Sequence, residues 1–278
     1  VADKQQQAAL ELSEGQKVYF ASDFHLGIDA RLSSRERERQ IVDWLEQVRH
    51  DAAAIYLVGD LFDFWYEYRT VVPKGYVRFL GKLAELRDAG IDIYCFTGNH
   101  DMWMFDYFEE EFGIPTFRQP VLCRIQDHHF FIAHGDGLGP GDYGYKLIKK
   151  IFANRLCQWL FARVHPNIGI GLANYWSGRS RSINAEADAF LGADQEWLLQ
   201  YANRKLDTMD VDYFVFGHRH LPIDYTLKNG ASRYINLGDW LKYNSYGVFD
   251  GQRMEIRFFR NPGASVYGRR SASSSSTH

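Results

Sequence analysis

The chain has 278 residues, 46% of them apolar and 24% charged, with a net charge of −3. At roughly 150 residues per domain this is one large domain or two small ones, long enough to bury a core without disulfide staples. The acidic balance excludes a general nucleic-acid binder, and Cys95, Cys123 and Cys157, with no CxxC spacing, exclude a disulfide framework or a cysteine zinc site and fit a reducing cytoplasm.

In chain order, residues 1–16 are polar, carry no signal-peptide core and read as a flexible lead-in. Lys17–Ala21, Ala54–Val58, Ile91–Thr97, His129–Ala133 and Tyr213–Phe216 are short, β-branched and aromatic, and each predicts a buried strand. Arg35–Val48 and Tyr76–Ala89 have helical spacing. The first places Ile41, Trp44, Leu45 and Val48 on one face with charges opposite, and the second stops at Gly90. Strands alternating with helices predict an α/β fold. Ser232–Phe259 holds only strands and turns, which predicts a second sheet or added antiparallel strands. No apolar run approaches the ~18 residues of a membrane-spanning helix. From residue 263 the chain turns serine-rich and reads as a disordered tail to residue 278.

Residues 143–185 contain no Asp or Glu but seven basic residues, Lys146, Lys149, Lys150, Arg155, Arg163, Arg179 and Arg181. Within this window Gly144–Val164 has Ile148, Ile151, Phe152, Leu156, Trp159 and Leu160 at helical spacing. Basic residues beside an apolar aromatic face suit an anionic membrane surface. An ordinary helix packed on the core gives the same pattern. An insertion over about 143–205 is expected within a domain spanning 17–262.

Five polar motifs follow five of the apolar runs: Ser22-Asp23-Phe24-His25, Gly59-Asp60-Leu61-Phe62-Asp63, Gly98-Asn99-His100-Asp101, His134-Gly135-Asp136 and Gly217-His218-Arg219-His220. Strand ends on one edge of an α/β sheet meet at one crevice, so distant segments can share a site. In Asp-x-His and His-x-His the two side chains share a face. Taken singly, each motif has a plainer reading as a turn. Taken together, Asp23, His25, Asp60, Asn99, His134, His218 and His220 offer three oxygen donors and four imidazoles, enough for two cations sharing one carboxylate. Asp60, with two oxygens, is the candidate bridge. The mixed donors favour Mn, Fe, Zn or Co over Mg or Ca. Two such ions clamp the attacking and leaving oxygens of a phosphoryl displacement, and a bound water at one becomes a hydroxide nucleophile at neutral pH. His50, His128, His129 and His165 stand outside these motifs and read as structural or solvated.

The five motifs, over Lys17–Trp240, resemble those of the calcineurin-like metallophosphoesterase superfamily. The resemblance implies a four-layer α/β/β/α sandwich with a helical cap insertion, and two divalent ions, Mn(II) first with Fe, Zn or Co as alternatives. One ion would take Asp23, His25, Asp60 and His220, and the other Asp60, Asn99, His134 and His218. His100 would stabilise the transferring phosphoryl group or protonate the leaving group, and Asp101 would orient its imidazole.

Gly59–Trp65, Gly113–Asp136, the insertion and Leu237-Gly238-Asp239-Trp240 are similar to the branch of that superfamily that cleaves an acylated UDP-sugar in lipid A synthesis. Asp142, Tyr145 and Lys146 are the implied substrate contacts. That branch implies a lipid-like sugar-nucleotide substrate and a cytoplasmic protein peripheral to the inner membrane. The familiar members of the branch carry Arg at position 100, where this chain has the His of general phosphoesterases. Another phosphate ester, such as a nucleotide or a small phosphomonoester or diester, is therefore the alternative substrate. A non-catalytic scaffold would have decayed ligands, and all seven are present.

Overall fold

The computed structural model describes residues 9–139, 149–171 and 189–268. Two sheets stack face to face. The first has the order β11-β10-β1-β2-β3-β4, built from Lys17–Ala21 (β1), Ala52–Val58 (β2), Asp92–Phe96 (β3), Thr116–Phe117 (β4), Ser245–Phe249 (β10) and Met254–Phe258 (β11). β1 to β4 run parallel, and β10 and β11 add an antiparallel hairpin to the free side of β1. The second has the order β5-β6-β7-β9-β8, from Val121–Ile125 (β5), His128–Ala133 (β6), Tyr213–Phe216 (β7), Pro222–Thr226 (β8) and Arg233–Leu237 (β9), with β6, β7 and β9 parallel. Ser232–Phe259, expected to form either a second sheet or added antiparallel strands, contributes to both sheets: β9 joins the second, and β10 and β11 extend the first.

Side-chain alternation along the strands builds the layers. On β1, Val18 and Phe20 point between the sheets, where they join Tyr56, Val58, Phe130, Ile132 and Val215. Phe20 stacks on Tyr56 and on Phe130, with centroids 5.1 and 5.8 Å apart, so aromatic rings tie one sheet to the other. Tyr19 and Ala21 point the other way, onto helices α1 (Ser34–Val48) and α2 (Val77–Asp88). The short helix α3 (Tyr107–Phe112) completes that layer through Phe108. The outer face of the second sheet is covered by Trp197–Lys205, which buries Leu198, Leu199 and Ala202 against Phe131, Phe214 and Phe216. Helix, sheet, sheet and helix are therefore the four layers.

Several boundaries differ from the expectation. Within the supposed lead-in, Leu10 bridges Ile125, and Leu10 and Leu12 pack on the core between the sheets, because the edge of β5 offers unpaired backbone groups. At the other end Tyr267 bridges Ile223, so the ordered chain runs past residue 263. Trp197–Lys205, expected within the insertion, belongs to the outer layer of the second sheet. The helix expected over Gly144–Val164 is interrupted. Residues 149–153 are helical, then Asn154 leaves the helical conformation and caps a new helix, α4 (Arg155–Phe161), by accepting from the amides of Leu156 and Cys157. With Trp197–Lys205 as α5, these are the labelled helices of the described chain. No helix among the described residues is long and apolar enough to cross a membrane.

The charged face of α1 is not wholly solvated. Glu38 is buried and accepts from the amides of Arg78 and Phe79 at the start of α2. Arg37, 1% exposed, donates to the carbonyls of Phe24 (2.8 Å), His25 (2.6 Å), Ile28 (2.6 Å) and Leu32 (3.3 Å). One guanidinium thereby fixes the whole loop after β1. Arg37→Met keeps most of the packing and strands those carbonyls, so urea unfolding should show a loss of at least about 3 kcal/mol.

Candidate metal centre

The carboxyl ends of β1, β2 and β3 in one sheet and of β6, β7 and β9 in the other lie over one crevice. The loops leaving them carry all five motifs. After β1 and β2 the two chains keep pairing as they turn: Asp23 donates its amide to Gly59, His25 to Asp60, and Asp63 back to Leu26. Asp23, His25, Asp60, His218 and His220 all have positive φ, between 44° and 67°. For non-glycine residues this is a costly conformation that persists only where surroundings enforce it.

Two groups of donors result. The ligand atoms of Asp23, His25, Asp60 and His220 lie within 4.8 Å of one another, as do those of Asp60, His134 and His218. Asn99 joins the second group, its Oδ1 being 2.8 Å from His218 Nδ1 and 3.3 Å from His134 Nε2. The structure thus brings together all seven side chains singled out in the sequence. Asp60 stands between the groups, with Oδ2 3.7 Å from His25 Nε2 and 3.3 Å from His134 Nε2. The bridge differs in detail from the two-oxygen expectation. Oδ1 is taken by the amide of His100 (2.8 Å), so a single oxygen faces both groups.

The site is built to hold positive charge. Asp23 and Asp60 are buried. Burial raises a carboxyl pKa, but His220 and His25 outweigh it at Asp23, and His134 and His100 hold Asp60 well below the usual carboxylate range. Burial opposes charge on His25 and His134 as well, yet the neighbouring carboxylates push each up to about 10. His218, buried beside His134, is pulled down to about 4. Asp23 Oδ1 is buried with no hydrogen-bond partner, and the Nε2 atoms of His25 and His220 face each other at 3.3 Å. A divalent cation satisfies all three atoms, and the imidazole and carboxylate donors suit one.

The role expected of Asp101 falls to another residue. Its carboxylate is spent on the amides of Gly98 (2.7 Å), Leu61 (2.7 Å) and Phe62 (3.4 Å), and burial together with the charge on Asp60 pushes it up to about 7. His100 instead places Nδ1 3.0 Å from the carbonyl of Asp63 and 3.6 Å from its carboxylate. A carbonyl only accepts, so Nδ1 carries the proton. Asp63 Oδ1 also lies 3.5 Å from His25 Nδ1. The Asp sits three residues past Asp60 in Gly-Asp-Leu-Phe-Asp, a spacing that could have flagged it. Asp239, at the end of β9, is the other carboxylate missed, 3.3 Å from His220 Nδ1. Asp142, Tyr145, Lys146, Arg179 and Arg181 lie outside the described residues.

The described part of the insertion is fastened beside the centre. Lys149 pairs with buried Asp136 at 2.5 Å. Tyr66 donates its hydroxyl to the Gln158 carbonyl (2.7 Å), and Trp103 its indole to that of Phe152 (2.8 Å). Phe152 packs edge-on against Trp103 and Phe161 lies tilted against it, with centroids 5.2 and 4.7 Å apart. On the other side Ile151, Leu156, Trp159, Leu160 and Ile168 are exposed, with the Arg163 guanidinium 4.6 Å from the Trp159 ring centroid.

Residues 16–222 match the model of the calcineurin-like phosphoesterases. The chain belongs to that family and is a metal-dependent hydrolase. Among its relatives is the UDP-2,3-diacylglucosamine hydrolase of Porphyromonas gingivalis, 40% identical over 257 residues that cover 86% of this chain and 96% of that protein. The enzyme of the same name from Aeromonas salmonicida is 29% identical, covering 86% and 92%. Among solved structures, an archaeal phosphodiesterase aligns over 87% of this chain and 99% of its own, with a TM-score of 0.45 and 13% identity.

Glycine is required where a loop passes the donors. A β-carbon on Gly98 would collide with the carboxylate of Asp60, and one on Gly217 would lie 2.6 Å from Asp23 Oδ2. Gly98→Ala should therefore leave the protein folded by circular dichroism but lower its bound metal, measured by elemental analysis after dialysis, well below that of the wild type.

Proposed function

We propose that this chain hydrolyses the pyrophosphate of UDP-2,3-diacylglucosamine to UMP and 2,3-diacylglucosamine 1-phosphate, with two Mn(II) ions as cofactors. The observation that carries the reading is the pair of donor groups sharing Asp60 Oδ2, in a chain 40% identical to a hydrolase of that name. Asp23, His25, Asp60 and His220 would hold one ion, and Asp60, Asn99, His134 and His218 the other. When bound, such a pair neutralises the charge that builds on the attacking and leaving oxygens of an in-line displacement.

The protein's own residues do the rest. Asp63 holds the Nδ1 proton of His100, which leaves Nε2 to face the reacting phosphate; a second proton taken up at Nε2 makes the imidazolium, which stabilises the transferring phosphoryl group and can pass that Nε2 proton to the departing oxygen. Burial lowers the pKa of that imidazole, so the cationic form depends on the negative charge beside it, that of Asp60 and Asp63 and of the substrate phosphates, and once formed gives up its proton readily. Asp142, Tyr145 and Lys146 contact the sugar and phosphates. The acyl chains and an anionic membrane surface are met by the insertion, whose Leu156, Trp159 and Leu160 project beside Lys150, Arg155 and Arg163.

Purified protein with the diacylated UDP-sugar should release UMP with Mn(II) and none with excess chelator. Asp60→Ala and His134→Ala should each lower the rate at least about a thousandfold, the several kcal/mol of charge stabilisation lost with an ion. A faster rate on soluble nucleotides or small phosphate esters than on the diacylated substrate would replace this reading with the general phosphoesterase that His100 resembles. Trp159→Asp with Leu160→Asp should reduce cosedimentation with vesicles containing anionic lipid and leave the metal content unchanged.

A further inference from the structure

The turn after β9 makes two contacts with the loops that carry the donors. Asp239 is 4% exposed. Its Oδ1 accepts from the amides of Lys242 (2.8 Å) and Tyr243 (3.1 Å), which fixes the carboxylate, and its Oδ2 lies 3.3 Å from His220 Nδ1. The next residue, Trp240, donates its amide to the carbonyl of Asp23 (3.1 Å), and its ring packs edge-on against Phe24, with centroids 5.4 Å apart. A side chain and a backbone amide from adjacent residues thus hold two donors of the same group, His220 and Asp23.

The backing of His220 differs from that of His134 in the other group. His220 Nδ1 is hydrogen-bonded to the carboxylate of Asp239, while His25 Nδ1 only approaches that of Asp63, at 3.5 Å and without a hydrogen bond. His134 Nδ1, in the other group, donates to the neutral carbonyl of Val58 at 2.9 Å. A carboxylate behind an imidazole fixes its tautomer and makes the far nitrogen a stronger donor. For His220 that far nitrogen is Nε2, 3.3 Å from Asp23 Oδ1.

We infer that Asp239 is the positioning residue for His220, and that its backing makes Asp23, His25, Asp60 and His220 the tighter of the two cation sites. The inference rests on the dinuclear reading above. Asparagine at 239 would keep its carbonyl on the two amides and turn its NH2 toward His220 Nδ1. That nitrogen would then have to accept, leaving the proton on Nε2, where the cation belongs.

The test is a calorimetric titration of metal-stripped full-length protein with Mn(II). The wild type should bind two ions in separable steps, and Asp239→Asn should weaken the tighter step by about 10- to 100-fold and leave the weaker one in place. In Zn(II)-loaded wild-type protein, long-range 1H–15N spectra should show His220 protonated at Nδ1, a readout that needs no variant to fold. Two indistinguishable steps, an unchanged tighter step in a folded Asp239→Asn, or a proton on His220 Nε2 would overturn the inference and leave the dinuclear reading standing. Failure of the wild type to bind Mn(II) would overturn both.

Discussion

Two carboxylates buried at the ends of neighbouring parallel strands set the terms for this structure. Asp23 and Asp60 are cut off from water, and each repels the other's charge. Leaving such groups ionised in a protein interior costs far more than any single contact returns unless positive charge is brought to them. His25, His134 and His220 supply part of that charge as protons, and the cations of a metal-dependent hydrolase supply it better. The rest of the fold can be understood as what keeps this cluster from relaxing.

Relaxation is prevented by the backbone as much as by side chains. The five donors in left-handed conformations would each return to extended or helical geometry if free to do so. They are held by hydrogen bonds that arrive from elsewhere: the Arg37 guanidinium on the carbonyls around His25, the Trp240 amide on Asp23, and Asp101 on three amides of the loops after β2 and β3. Arg37 and Asp101 are ionisable residues outside the two groups of metal-binding side chains, and both are buried. Their burial is accounted for by the loops they brace.

The insertion is joined to this centre by the same kind of contact. Lys149 reaches Asp136, two residues beyond His134, while Trp103, three residues beyond His100, takes Phe152 and Phe161. The insertion is therefore in direct contact with the loops that carry His134 and His100. The break at Asn154 turns α4 so that Phe161 faces Trp103 while Leu156, Trp159 and Leu160 face outward.

The amino-acid sequence by itself determined the strands that end in polar motifs and the residues those motifs contribute. Apolar β-runs stopping at Gly, Asp or His are local patterns, and the chemistry of Asp23, His25, Asp60, Asn99, His134, His218 and His220 is legible in their types and spacing. The short strand β4, the edge strands β5 and β8, and the true extents of the lead-in and tail were not legible, because they are fixed by pairing with partners far away in the chain. The outer carboxylates belong to the same class. Asp63 and Asp239 act by facing His100, His25 and His220 across the crevice, and Asp101 differs from Asp63 in what lies within its reach, three amides rather than two imidazoles. Direction and distance between segments up to about two hundred residues apart are properties of the packed sheets, so only the tertiary structure could decide which aspartate backs which histidine.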